Sequence, residues 1–210
     1  MSNTNIIHEI PAKQKAVAFT FDDGPHPIYT PQILEIFKEV SGKATFYMIG
    51  KHMLEHPEIV NNVVEQSHEI GNHTYSHPFL TKLSKDDCKE EIKESDSIIK
   101  KLTGQRAATF RPPYFDFNED TVSIVQDFSY KMIGAVNMDA VDWEQPGVNH
   151  IVTKSRNHIR NGSIFLFHDG LGDRSQTVEA VRILVKELVD EGYQLVTVSE
   201  LMQFTENKSY

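Results

Sequence analysis

A chain of 210 residues, 39% hydrophobic and 24% charged, is long enough for one domain with a sizeable core. A formal charge of -9 excludes a basic nucleic-acid footprint and disfavours anionic membranes and polyanionic substrates, so a neutral substrate fits best. The single cysteine, Cys88, excludes an intramolecular disulfide, and beside Asp86 and Asp87 it reads as a plain helix-surface or half-buried thiol.

The first residues lack the basic and apolar regions of a secretion signal, and no apolar run is long enough to span a bilayer. The expectation is a cytoplasmic protein with no membrane insertion and no nucleic-acid partner; action at the cell envelope stays open, and oligomeric state has no signature. Residues 15–21 read as a buried strand. It runs into Thr20-Phe21-Asp22-Asp23-Gly24-Pro25, which delivers two adjacent acids to a tip where the chain must turn. Neighbouring side chains on a strand point to opposite faces, so the two acids can do different work. Thr30-Pro31 reads as an N-cap with proline at the first helical position, followed by a stripe of Ile33, Leu34, Phe37 and Val40. A strand over 44–48 comes next. A helix then opens at His56-Pro57 with Ile59, Val60, Val63 and Val64 on one side, and a short strand over 69–72 leads into His73.

The longest helix spans 84–102, capped by Ser84 with Asp87 three residues on and ended by Gly104. Strands over 108–110 and 131–137 flank a helix over 118–128. A helix over 149–159, a strand over 163–167, a helix over 177–191 stopped by Gly192, and a strand over 194–198 follow, with Ser199 capping a last short helix. The divisions expected are an N-terminal extension over 1–14, a single domain over 15–204 and a flexible tail over 205–210.

Roughly seven strand–helix units with no linker imply a parallel sheet buried on both faces. A barrel and an open doubly wound sheet both satisfy that count. Asp22, Asp23, His73, Arg111, Asp139, Asp142 and His168 all fall just after predicted strands scattered along the chain. Barrel sites are assembled in that way, whereas an open sheet gathers them at one switch point, so the barrel is favoured.

The chemistry lies at these strand ends. His73-Thr74-Tyr75-Ser76-His77 spaces two imidazoles four apart, on one face if the segment is a helical turn, and so able to share a metal ion; two surface histidines are the plainer alternative. A carboxylate from Asp22 or Asp23 would complete a His-His-carboxylate set. The other acid is then free as a general base, although an Asx turn before Gly24-Pro25 would also use the pair. Arg111-Pro112-Pro113-Tyr114 places a cation where it can hold a carboxylate ionised, on a loop stiffened by two prolines. Asp139-Ala140-Val141-Asp142-Trp143 holds the only tryptophan. A nearby carboxylate would raise the pKa of His168 and suit it to general acid work.

The five blocks, residues 20–25, 73–77, 111–114 and 139–143 with Ile164-Phe165-Leu166-Phe167-His168, in this order over roughly residues 15 to 200, resemble the polysaccharide deacetylases of the NodB-homology type, carbohydrate esterase family 4. The resemblance implies a distorted (β/α) barrel of about seven strands, an irregular relative of the eight-stranded barrel. It implies a metal-dependent hydrolase that removes the N-acetyl group of N-acetylglucosamine residues in peptidoglycan or a chitin-type oligosaccharide. The alternatives are a hydrolase of a small non-sugar amide or acetyl ester on the same scaffold, or an inactive glycan-binding protein. Carried onto this sequence, Asp23, His73 and His77 hold a divalent metal, zinc first and Co2+, Ni2+ or Mn2+ otherwise. Asp22 is the base with Arg111 as partner, and His168 is the acid oriented by Asp142. Tyr114 supplies an oxyanion N–H and, with Trp143, Leu166 and Asp139, contacts substrate. One departure stands out. Phe115 occupies the place the family usually gives to glycine. A bulky residue resists positive φ, so this loop is expected to run differently, with Phe115 and Phe117 stacking on a sugar ring or packing the loop itself.

Overall fold

The computed structural model describes residues 6–206, with side chains through residue 204. The strands are β1 (Ala16–Asp22), β2 (Thr45–Met48), β3 (Glu69–Asn72), β4 (Thr109–Phe110), β5 (Lys131–Met132), β6 (Ile164–His168) and β7 (Gln194–Leu195). The helices are α1 (Tyr29–Glu39), α2 (Gly50–Glu55), α3 (Pro57–Glu65), α4 (Lys85–Thr103), α5 (Glu119–Asp127), α6 (Val148–Arg156), α7 (Ser175–Asp190) and α8 (Val198–Glu206). All strand pairs are parallel, in the order β5-β4-β3-β2-β1-β6, with β7 also on β1. The sheet curls into a half-barrel surrounded by helices, as the strand-end distribution implied.

β1 lies in the middle, and its side chains sort by the period of two. Val17, Phe19 and Phe21 join the large apolar cluster shared with α1 and α7. There Phe19 stacks on Phe167 at 5.5 Å and Phe21 on Phe46 at 5.2 Å. Ala16, Ala18, Thr20 and Asp22 face the other way, where Ala16 and Ala18 meet Tyr47, Ile133 and Ile164. The apolar face anchors the strand, and the small and polar face leaves room for chemistry. Cys88 is buried in a third cluster with Ile92 and Phe110 rather than on the helix surface or half-buried, and burial pushes its thiol pKa up.

The register places the site. Asp22 pairs with both Tyr47 and His168, Met48 with Asn72, and Asn72 with Phe110. The residues at or just beyond these positions are Asp23, His73, Arg111 and His168. One rim of the sheet therefore collects groups that are far apart in sequence.

Several local expectations are corrected. α1 begins one residue before Thr30, whose hydroxyl is not a cap: it accepts from the His26 N–H at 2.8 Å and donates to Asp169. The strand expected over 131–137 ends at Met132, because Ile133 and Gly134 turn their carbonyls to Arg111. Thr197 rather than Ser199 caps α8, in a reciprocal pair with Glu200, while Ser199 bonds Glu69. Ser84 does cap α4, and Gly104 closes it with φ 74°. In the N-terminal extension, Ile7 bonds beside β5 and Ile10 beside β6, bridging the two outer strands. Of the expected tail, residues 205 and 206 complete α8, and 207–210 lie outside the described residues. No described helix is long and apolar enough to cross a membrane.

Candidate functional site

Asp23 sits just past β1 with φ 73°, a left-handed conformation uncommon outside glycine. Its Oδ1 lies 3.5 Å from His73 Nε2 and 3.1 Å from His77 Nε2. The two histidines are not joined by a helical turn. Thr74 and His77 both take positive φ, and the loop is held by side chains: Asn72 Oδ1 accepts from the Thr74 N–H, and Thr74 Oγ1 from the His77 N–H. Glu91 accepts from the N–H groups of Tyr75 and Ser76.

The donor chemistry tests whether a metal fits. His73 Nδ1 donates to the Arg111 carbonyl at 2.7 Å, which leaves Nε2 as a lone pair aimed at Asp23. The buried Asp23 Oδ1 has no hydrogen-bond donor among the described residues. The His73 Nε2 lone pair and Asp23 Oδ1 converge with His77 Nε2, and a cation between them would satisfy all three. Asp23, His73 and His77, with ligand atoms within 4.8 Å of one another, could hold a divalent metal.

Asp22 stands next to this cluster with 4% of its surface exposed. Its Oδ1 accepts from Arg111 NH1 at 2.7 Å, and its Oδ2 lies 3.8 Å from His73 Nε2. Arg111 is completely buried. It also donates to Thr20 Oγ1 and to the carbonyls of Ile133 and Gly134, and its guanidinium lies 4.3 Å from the Tyr47 ring centroid. Every face of the cation is occupied, so its charge is directed at Asp22.

His168 reaches the rim from β6. Asp142 accepts from its Nδ1–H at 2.9 Å and from its backbone N–H at 2.8 Å, and Thr177 donates to the same carboxylate. Burial disfavours the imidazolium. The charge and hydrogen bond of Asp142, with Asp22 and Asp23 behind, push the His168 pKa up to about 9.

A cavity of about 370 Å³ opens over these groups and is walled by Tyr114, Phe115, Trp143 and Leu166. The Trp143 ring meets His168 edge-on at 5.2 Å. Tyr114 stacks on Phe79 at 4.1 Å and touches His77 edge-on. Phe115 overturns the expectation about its backbone. It takes φ 53° directly after Tyr114 at φ 58°. The strain is held by a turn in which the Phe115 and Asp116 N–H groups donate to the Pro112 and Pro113 carbonyls, with the Asp116 carboxylate tied to Thr81. The Phe115 ring lines the cavity 5.9 Å from the Arg111 guanidinium, whereas Phe117 packs against the cluster around Leu80 and Phe110.

Asp139 does not join the site. Its carboxylate accepts from His158 at 2.9 Å and pairs with Lys154 at 3.3 Å, outside the cavity, and Met138 lines the wall instead. Sequence reasoning missed Asp169, which follows His168 and is fully buried against Thr30. Burial pushes its carboxyl up to about 7; the Thr30 bond opposes this and Asp23 and Asp22 reinforce it. Its place beside a strand-end histidine was the available signal. Arg174, which bonds the Gly170 and Trp143 carbonyls, and Asn72 and Glu91, which shape the histidine loop, carried none.

Residues 9–133 match a family model described as Polysaccharide deacetylase. A peptidoglycan-N-acetylglucosamine deacetylase of Bacillus cereus is 37% identical over 197 residues, covering 93% of this chain and 92% of its own length. A chitooligosaccharide deacetylase of Azorhizobium caulinodans is 32% identical, with 89% of this chain and 94% of that protein covered. Among solved structures, the peptidoglycan deacetylase PdaC from Bacillus subtilis matches with a TM-score of 0.86 at 34% identity, over 95% of each chain. The curated full-length PdaC, a peptidoglycan-N-acetylmuramic acid deacetylase, is spanned over only 39% of its length.

Proposed function

The chain belongs to the polysaccharide deacetylase family, and from that premise we propose that it hydrolyses N-acetyl groups of N-acetylglucosamine residues in peptidoglycan or a chitin-type oligosaccharide, releasing acetate. The observation that carries this reading is the pairing, on one rim, of a buried Asp-His-His ligand set with a carboxylate and an imidazole that both have fixed partners.

Two imidazoles and a carboxylate with room for a further ligand form the donor set of catalytic zinc, so zinc is the ion assigned, ahead of Co2+, Ni2+ and Mn2+. When bound, such an ion supplies Lewis acidity, polarising the acetamide carbonyl and making water nucleophilic near neutral pH. The chain's own groups do the rest. Arg111 occupies Asp22 Oδ1, which leaves Oδ2 to take the proton of the attacking water. The Tyr114 N–H is the donor assigned to the developing oxyanion, a contact worth about 3 kcal/mol in such sites. His168, oriented by Asp142, gives its Nε2 proton to the departing sugar amine. Trp143 and Leu166 enclose the acetyl methyl.

Acetate release tests the reading. With Zn2+, Co2+, Ni2+ or Mn2+ supplied, the protein should release acetate from chito-oligosaccharides or peptidoglycan, and His73→Ala should lose both turnover and stoichiometric metal. Turnover confined to acetylated xylan or simple amides would favour a non-sugar or ester substrate. Glycan affinity with no acetate release would favour a binding protein, which has no use for Asp22 or His168.

The alkaline limb provides a second check. A His168 pKa of about 9, raised from 6.5, keeps the acid protonated through neutral pH, and activity should fall as pH rises through about 9. Asp142→Asn should move that limb more than one unit lower in a pH profile of kcat/KM. The stability sign follows from linkage. A raised folded-state pKa contributes stability that is complete below about 6.5 and is lost as pH climbs from there through about 9. Urea unfolding of Asp142→Asn should show that pH dependence removed; an unchanged slope over this window contradicts the assignment.

A further inference from the structure

The short helix α2 that follows β2 had no sequence signal, and the first N–H groups of its N-terminal end bond toward the ligand loops. The Ile49 N–H donates to the Gly24 carbonyl at 2.9 Å, the Gly50 N–H to the Thr74 carbonyl at 2.9 Å, and the Lys51 N–H to the Tyr75 carbonyl at 3.0 Å. The half-buried His52 donates from Nδ1 to the Asp23 carbonyl at 2.9 Å. One turn of helix therefore grips the peptide after Asp23 and the loop between His73 and His77.

Two close approaches fix these contacts. A Cβ on Gly50 would lie 3.1 Å from the Tyr75 Cα, so glycine there lets the helix seat closely against the histidine loop. A Cβ on Gly170 would overlap the Asp23 carbonyl oxygen at 2.0 Å, so the Gly170 backbone packs closely on the same oxygen that accepts from His52. Asp23 needs such a clamp. Its φ of 73° is costly for a residue with a side chain, and it must be met by contacts from outside.

We infer that His52 is a positioning residue for the metal centre, its Nδ1–H holding the Asp23 backbone in the left-handed conformation that turns the carboxylate toward His73 and His77. This rests on the metal reading above. His52 touches neither metal nor substrate; it acts through the Asp23 carbonyl. Partners beyond the ligands typically govern metal affinity by about 10- to 100-fold.

Asparagine and leucine separate the hydrogen bond from bulk. The Nδ2 of an asparagine overlays the imidazole Nδ1 and can donate to the same carbonyl; leucine has a similar branch at Cγ and no donor. Zn2+ affinity by chelator competition, the Co2+ visible absorption spectrum and the metal-free melting temperature should be measured for the full chain and for both variants. His52→Leu should bind Zn2+ about 10- to 100-fold more weakly with an altered Co2+ spectrum, and His52→Asn should stay within about threefold of the parent. The metal-free melting temperature of His52→Leu should fall by only a few degrees, the loss of one hydrogen bond, with His52→Asn close to the parent. Unchanged Zn2+ affinity in His52→Leu overturns the inference, as do equal losses of affinity in both variants. Failure of the parent protein to bind Zn2+ or Co2+ overturns the metal reading itself, a distinguishable result.

Discussion

Asp22→Asn should lower kcat for acetate release by about a thousandfold, within the range for loss of a general base, and leave metal content unchanged. The substitution is close to isosteric, and backbone pairing of position 22 with Tyr47 and His168 does not depend on the side chain. The oxygen that accepts from Arg111 can remain an amide oxygen, so the cation keeps a partner. What is lost is the second oxygen, the one that faces His73 at 3.8 Å and would receive the proton of water. The ligand set does not include Asp22, so metal analysis of the purified variant should match the parent. Near-parental turnover would remove Asp22 from the base role; loss of metal with turnover would make it a ligand.

Asp22 and His168 were legible in sequence because a parallel sheet converts chain order into position. An apolar strand followed by a polar residue gives the rim level from local pattern alone, and the observed register puts Asp22 directly beside His168. His73 and His77 were legible as candidate ligands but not as geometry. Their spacing of four suggested a helical face, whereas backbone strain at Thr74 and His77 and the Asn72 and Glu91 side chains create the turn. Such partners are set by tertiary contact and leave no periodicity. α2 was missed for a related reason: six residues are too few for a 3.6-residue stripe. Thr30 was misread because its cap-like pattern with Pro31 competes with a buried carboxyl, Asp169, that only the folded chain brings to it. Asp139 was misread because its adjacency to Asp142 says nothing of the side on which each emerges; Asp142 turns inward to His168 and Asp139 outward to Lys154.

Arg111→Met should be the most destabilising substitution at the site, by about 3–5 kcal/mol, the cost of leaving one member of a buried ion pair uncompensated. The guanidinium is fully buried, and its removal strands the Asp22 carboxylate and withdraws donors from Thr20 and from the Ile133 and Gly134 carbonyls. For a chain of this length that corresponds to a melting temperature lower by roughly 6–20 °C. Methionine fills part of the space beside Tyr47, so the loss reports charge and hydrogen bonding more than a cavity. The His73 Nδ1–H is held by the backbone carbonyl of residue 111, which the substitution keeps, so the folded fraction should still bind metal. A double-mutant cycle adds the decisive comparison. In Asp22→Asn with Arg111→Met no buried charge is left unpaired, so the double variant should be more stable than the sum of the single losses, and by more than 1 kcal/mol when two contacting residues couple at the level of about 0.5–3 kcal/mol. Additive losses in urea unfolding would mean that Arg111 serves the fold through its carbonyl contacts alone, and that the charge of Asp22 is balanced by some other group.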